Sequence, residues 1–258
     1  MKKIILVIAL LLCGAFSNFS LYAQEETKQA IEEAVQNLNA AYVQNDFKIF
    51  METRAFFERL LTVEPDNYLA KYYLVYIDYR LYQFSFAGEK KVDVSKFYDT
   101  ALERCKELID KKQFEGEAKT LNAGLYMMRL AVNQMEAMAL FPRIHELLDE
   151  AEAAPGNNPR ALLIRGMMLL NTPAAFGGSP EKAVESFLKG VEMYKNMNKG
   201  ESVTWGYVET LAWLGQAYQR LNMNDKAKEA YENALKLEPE FAWVKMVLLP
   251  ALTKEKTN

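Results

Sequence analysis

Residues Thr210 to Trp243 read TLAWLGQAYQRLNMNDKAKEAYENALKLEPEFAW. The stretch reads as two antiparallel helices. Gly215 in the first and Ala227 in the second are small, which lets the two backbones approach where they cross. Tyr218 and Tyr231 are the large residues that fill the space between this hairpin and its neighbours. Pro239 has no N–H to continue a helix and stops the second one.

These positions follow the spacing of a known repeat. Leu211 stands where the tetratricopeptide consensus has Trp, Leu214 and Gly215 form its LG pair, and Tyr218, Ala227, Tyr231, Ala234 and Pro239 complete it. The chain from about Tyr207 to Glu240 therefore resembles one whole tetratricopeptide unit. The resemblance implies an all-α fold, a right-handed superhelix of about five helix-turn-helix repeats forming one domain over residues 24–258.

Projecting the same frame outward finds the diverged repeats. In NPRALLIRGMMLLNTPAAFGGSPEKAVESFLKG, Gly166 takes the small position of a first helix, and Ala183 and Phe187 take the matching positions of the second, across a longer loop. Phe57, Leu60 and Pro65 close an earlier repeat, and Tyr68 to Leu81 open the next. A further hairpin is expected from Glu117 to Ala154, with Gly124 at its crossing and its turn at Phe141 and Pro142. Ala242 to Leu249 reads as a cap. Asn45 with Asp46, Gly88, Gly156 with Asn157 and Asn158, and Gly200 interrupt the helical pattern at hairpin ends.

The opening MKKIILVIALLLCGAFSNFSLYAQ has a basic start, an apolar run from Ile4 to Leu12 and a small residue, Ala23, before Gln24. That is the layout of a cleaved signal peptide spanning residues 1–23, and it predicts a periplasmic or secreted protein. A lipid anchor on Cys13 would want a small residue before it, where Leu12 stands. No stretch is apolar over the roughly 20 residues that a membrane span requires. Cleavage leaves Cys105 as the only cysteine, so no internal disulfide is expected. It also takes Lys2 and Lys3 from the 31 basic residues, leaving 29 against 34 acidic, a net charge of −5. Nothing in that balance calls for nucleic acid.

Catalytic and metal chemistry find little to build on. His145 is the only histidine, and in HELLD (His145 to Asp149) an aspartate stands where a zinc-binding helix needs its second histidine. No nucleophile elbow or phosphate loop occurs, and no cofactor is implied. The loop from Thr172 to Ala183 places glycines before a helix start, but Gly177 and Gly178 suit a turn with positive backbone angles, Ser179 a cap and Pro180 a first helical position. Over that one hairpin the sequence is similar to a loop of the periplasmic repeat proteins associated with TRAP-type solute transporters. That likeness implies a partner role beside a solute-binding protein.

In the tetratricopeptide family the first helix of each hairpin lines the concave groove, so the frame assigns groove positions. They are Leu38 and Tyr42, then Tyr72, Tyr76 and Tyr79. The third hairpin contributes Leu121, Leu125 and Met128, and the fourth Leu163 and Met167. The last adds Glu209, Ala212, Gln216 and Gln219. Most of this face is apolar and aromatic, with a polar end, and eight of the 12 methionines fall between Met127 and Met197. Such side chains either line an open groove for an occupant or fill the axis of a tightly wound stack, and periodicity does not separate the two. The expected function is a non-catalytic scaffold that binds a protein or peptide of the cell envelope. The alternative is an accessory protein that holds an apolar small ligand for a solute transporter.

Overall fold

The computed structural model describes residues 24–87, 95–156, 158–197 and 202–255. The leader, Cys13, Gly88, Asn157 and Gly200 lie outside the described residues. The chain divides into two compact units at Ala40 and Ala41. In the first, residues 24–40 are helical throughout. They belong to helix α1 (residues 24–44), whose last turn opens the second unit.

The second unit continues as α2 (Phe47–Val63), α3 (Tyr68–Ala87), α4 (Ser95–Asp110), α5 (Glu115–Val132), α6 (Ala137–Ala153), α7 (Pro159–Asn171), α8 (Pro180–Lys195), α9 (Tyr207–Arg220), α10 (Asn224–Leu237) and α11 (Leu249–Glu255). No strand occurs among the described residues. Four hairpins follow α2: α3 with α4, α5 with α6, α7 with α8 and α9 with α10. The first helices pack in series, α3 on α5, α5 on α7 and α7 on α9. A wide π-turn over Trp243–Leu248 leads into α11 and packs on α10, burying Phe241, Val244, Leu248 and Leu252 at the C-terminal end.

Gly215 and Gly166 sit at helix crossings within their hairpins. A side chain on Gly215 would meet the Tyr231 ring at 2.2 Å, and one on Gly166 would meet the Phe187 ring at 2.3 Å. The same contact thus recurs in two hairpins despite the longer loop of the earlier one. Gly124, expected at the crossing of its own hairpin, instead meets the Tyr79 ring of the preceding one, because α5 packs that face on α3.

The α5–α6 turn departs from the sequence expectation. It lies at Asn133 to Glu136, and Phe141 and Pro142 are inside α6. Asn133 caps a short 3₁₀ turn through its side chain, and Arg129 pairs with Glu136 across it. Pro142 is tolerated because the N–H it lacks would have met Met138, whose residue is open to water near the start of the helix. The α7–α8 loop differs in one detail. Gly177 has φ of +91°, whereas Gly178 is required for space, since a side chain there would lie 1.7 Å from the Thr172 carbonyl oxygen. Ser179 accepts from the Lys182 N–H and caps α8, with Pro180 at its start.

Helix α3 has no solvent face between Tyr72 and Tyr82. A helix apolar on all sides is one surrounded by others, and α2, α4 and α5 pack around it. Its buried Asp78 is met by Arg54 at 2.6 Å and Arg104 at 3.4 Å.

Candidate functional site

The first helices α3, α5, α7 and α9 turn Tyr72, Glu117, Arg160 and Glu209 toward one another, and the segment Ser202–Gly206 lies among them. This segment has no helix. Val203 and Trp205 are buried while Ser202 and Thr204 are exposed, the alternation of an extended chain laid on a surface. Side chains hold it by its backbone. The Tyr73 hydroxyl donates to the Ser202 carbonyl at 2.7 Å, and the Tyr194 hydroxyl donates to the Trp205 carbonyl at 3.3 Å. Arg160 reaches the carbonyls of Val203 and Trp205, both at 3.4 Å. Gly206 then starts α9 at φ of +108°, with Tyr194 so close that no side chain would fit.

The Trp205 indole packs on Tyr76 with ring centres 5.0 Å apart and donates to the Tyr72 hydroxyl at 2.8 Å. Tyr72 passes the bond on to Glu117, 3.2 Å away. Glu117 is gripped by Arg160 through both carboxylate oxygens, at 2.6 to 2.9 Å.

On the other side of Trp205, the Arg80 guanidinium lies over Tyr42 at 4.2 Å and over Tyr76 and Trp205 at 5.0 Å each, a cation enclosed by aromatic faces. It forms a two-pronged ion pair with Glu209, at 2.9 and 2.5 Å. Burial works against its charge, but the Glu209 carboxylate holds the guanidinium pKa above the ordinary arginine value. Burial, reinforced by Glu117 and Glu209 respectively, pushes the Tyr72 and Tyr42 phenols well above their usual range. At neutral pH these hydroxyls therefore remain protonated and available as donors. The arrangement is suited to holding a chain by hydrogen bonds and aromatic contact.

The residues assigned to the groove fall in different places. Tyr72, Tyr76 and Tyr79 are buried against the protein's own side chains, and Leu121, Leu125, Leu163 and Met167 are buried likewise. Met128 is half-buried, as is Tyr42, which also packs on Phe241. Gln216 and Gln219 are half-buried at the polar end, where Gln219 accepts from the Tyr231 hydroxyl. Leu38 lies in the helix of the first unit. Sequence reasoning missed Arg80, Trp205, Glu117 and Arg160. Arg80 was the one with a signal, a charge inside an otherwise apolar helical run.

The tetratricopeptide repeat family matches the sequence over residues 208–241. The chain carries a tetratricopeptide repeat there. The HusA haemophore from Porphyromonas gingivalis is similar in structure, with a TM-score of 0.64 at 21% identity, over 75% of this chain and 93% of that one. A thermophilic tetratricopeptide-repeat protein from Thermus thermophilus is similar with a TM-score of 0.61 at 18% identity, over 86% of this chain and 99% of the other. No curated protein matches the sequence. Likeness at these identities establishes a shared fold, and the repeat protein's own residues must carry the functional argument.

Elsewhere a cavity of about 450 Å³ opens among α4, α5 and α6, lined by Leu102, Lys106, Tyr126 and Arg143 and by Asn122. His145 is exposed on α6, and its neighbour Asp149 is paired with Arg165. Among the described residues no group of three or more histidine, cysteine or acidic side chains is placed to hold a metal, and no helix is long and apolar enough to cross a membrane.

Proposed function

We propose that this protein is a non-catalytic interaction scaffold of the bacterial cell envelope. The observation that carries the reading is the tetratricopeptide unit at residues 208–241 set in a stack of paired helices. Such stacks present an extended surface to protein partners. The basic start, apolar run and Ala23 of residues 1–23 support an exported protein.

The test is crosslinking and affinity capture of the full chain from its native host, with envelope and cytosolic fractions compared by mass spectrometry. A reproducible protein partner recovered from the envelope fraction is the expected result. Recovery of only the background seen with an unrelated exported protein of similar charge would overturn it.

A second reading is favoured by the fold shared with a haemophore, and it makes the ligand small and apolar. Titration with haem, followed by its absorbance, decides it. A saturable spectral shift at one equivalent would support that reading, and spectra additive at all ratios would remove it.

A further inference from the structure

We infer that the cavity among α4, α5 and α6 is a binding site for a free α-amino acid with an apolar side chain. Its walls come from α4 and α6, the second helices of two successive hairpins, with α5 between them. The cluster around Trp205, by contrast, is built on the first helices.

The sequence spacing makes the cavity. Ala101, Cys105 and Leu108 form the fully buried stripe of α4, and the adjoining stripe of Leu102, Lys106 and Ile109 borders the cavity. Asn122 and Tyr126, four residues apart, come from one face of α5 to meet it. At about 450 Å³ the space falls within the range of small-molecule sites.

Asn122 is the most buried residue of the lining, at 8% exposure, and its side-chain oxygen has no hydrogen-bond partner among the described residues. A buried acceptor left unpaired is costly, and a ligand that brings an N–H or O–H relieves it. The charges nearby are balanced. Lys106 pairs with Asp110, which occupies both. Arg143 gives one guanidinium nitrogen to Glu146 at 2.5 Å and keeps its other donors, while Glu103 has no ion pair among the described residues. One cation, one anion and one buried acceptor therefore remain, beside the apolar Leu102 and Ile109. An α-amino acid answers all of them: its carboxylate meets Arg143, its ammonium meets Glu103 and the Asn122 oxygen, and its side chain lies on the apolar wall. A plain carboxylic acid leaves Glu103 and Asn122 unmet, and a plain amine leaves Arg143 unmet.

This site is independent of the scaffold reading, so either can fail alone. Its test is calorimetric titration of the full chain with L-leucine and L-phenylalanine, and with two analogues of leucine. Leucinamide lacks the carboxylate, and 2-hydroxy-4-methylpentanoate has a hydroxyl in place of the ammonium. At least one amino acid should bind at one equivalent with a Kd below about 1 mM. Each analogue should bind at least about tenfold more weakly than leucine.

Asn122→Leu keeps the side-chain volume and removes the unmet amide. It should melt no lower than the wild type while binding the amino acid at least about tenfold more weakly. Should that variant not fold, Arg143→Gln answers from an exposed position, weakening the amino acid and leaving leucinamide as it was. Absence of heat from both amino acids up to about 10 mM, as for a cavity that holds water only, overturns the proposal. So does an analogue that binds as tightly as leucine, or unchanged amino-acid binding in either folded variant.

Discussion

Arg80 on α3 and Glu209 on α9 are 129 residues apart in sequence and form a two-pronged ion pair from which water is almost wholly excluded. Hairpins that are not neighbours in the chain are joined through it. The desolvation of both charges offsets much of their attraction, so the pair is far costlier to halve than to remove.

Glu209→Ala should therefore destabilise the protein by about 3–5 kcal/mol, because it strands a buried guanidinium. Replacing both partners with methionine should recover most of the loss. Urea denaturation of the two variants checks this, and equal destabilisation by the single and double changes would contradict it.

The two repeated glycine contacts predict a matched response. Gly215→Ala and Gly166→Ala each force an aromatic ring aside, and each should cost about 1–3 kcal/mol by overpacking. Gly178→Ala should exceed Gly177→Ala, since the first meets a backbone oxygen while the second meets nothing within 4 Å and suffers only from its positive φ. Thermal melts of the four variants give the order directly.

Asp78 supplies a pH dependence. Burial raises its carboxyl to about 6, against the pull of Arg54 and Arg104. Between about pH 4 and 6 the native state then keeps a proton that the unfolded chain has released, so stability falls as pH rises through that window. A carbon-detected NMR titration should place the Asp78 midpoint near 6. In Asp78→Asn this part of the slope in melts against pH should vanish.

Cys105 is free and fully buried, and burial pushes its thiol well above the usual range. Thiolate, the reactive form, is absent at neutral pH. A thiol reagent should label it only as fast as the protein unfolds, and rapid stoichiometric labelling under native conditions would show that α4 is less closed than described.

The sequence made α9 and α10 legible because that hairpin follows the repeat spacing closely, although Tyr231, read as filling the space between hairpins, packs on Gly215 inside its own. The repeat positions of Gly166, Ala183 and Phe187 followed by projection, once five extra loop residues were allowed. The α5–α6 turn was misplaced because Pro142 was read as a breaker, whereas near the exposed start of a helix its missing N–H matters little. Tyr72, Tyr76 and Tyr79 recur at helical spacing whether they face a partner or their own protein. The difference lies in Arg160, Trp205 and Glu209, which come from 81 to 137 residues further along the chain. Asp78 and Arg80 within the apolar run from Tyr72 to Leu81 were the available warning, since a charge there must be met by another.

The bond from the Trp205 indole to Tyr72 changes how such a chain comes apart. In a stack whose units touch only their neighbours, terminal units fray independently and melting broadens with length. Here α9 cannot detach without baring the middle of α3, so the last hairpins and the early ones share one transition. Deleting the C-terminal hairpin should then collapse the remainder rather than leave a shorter solenoid, which makes this repeat protein a poor substrate for evolution by gain or loss of single units.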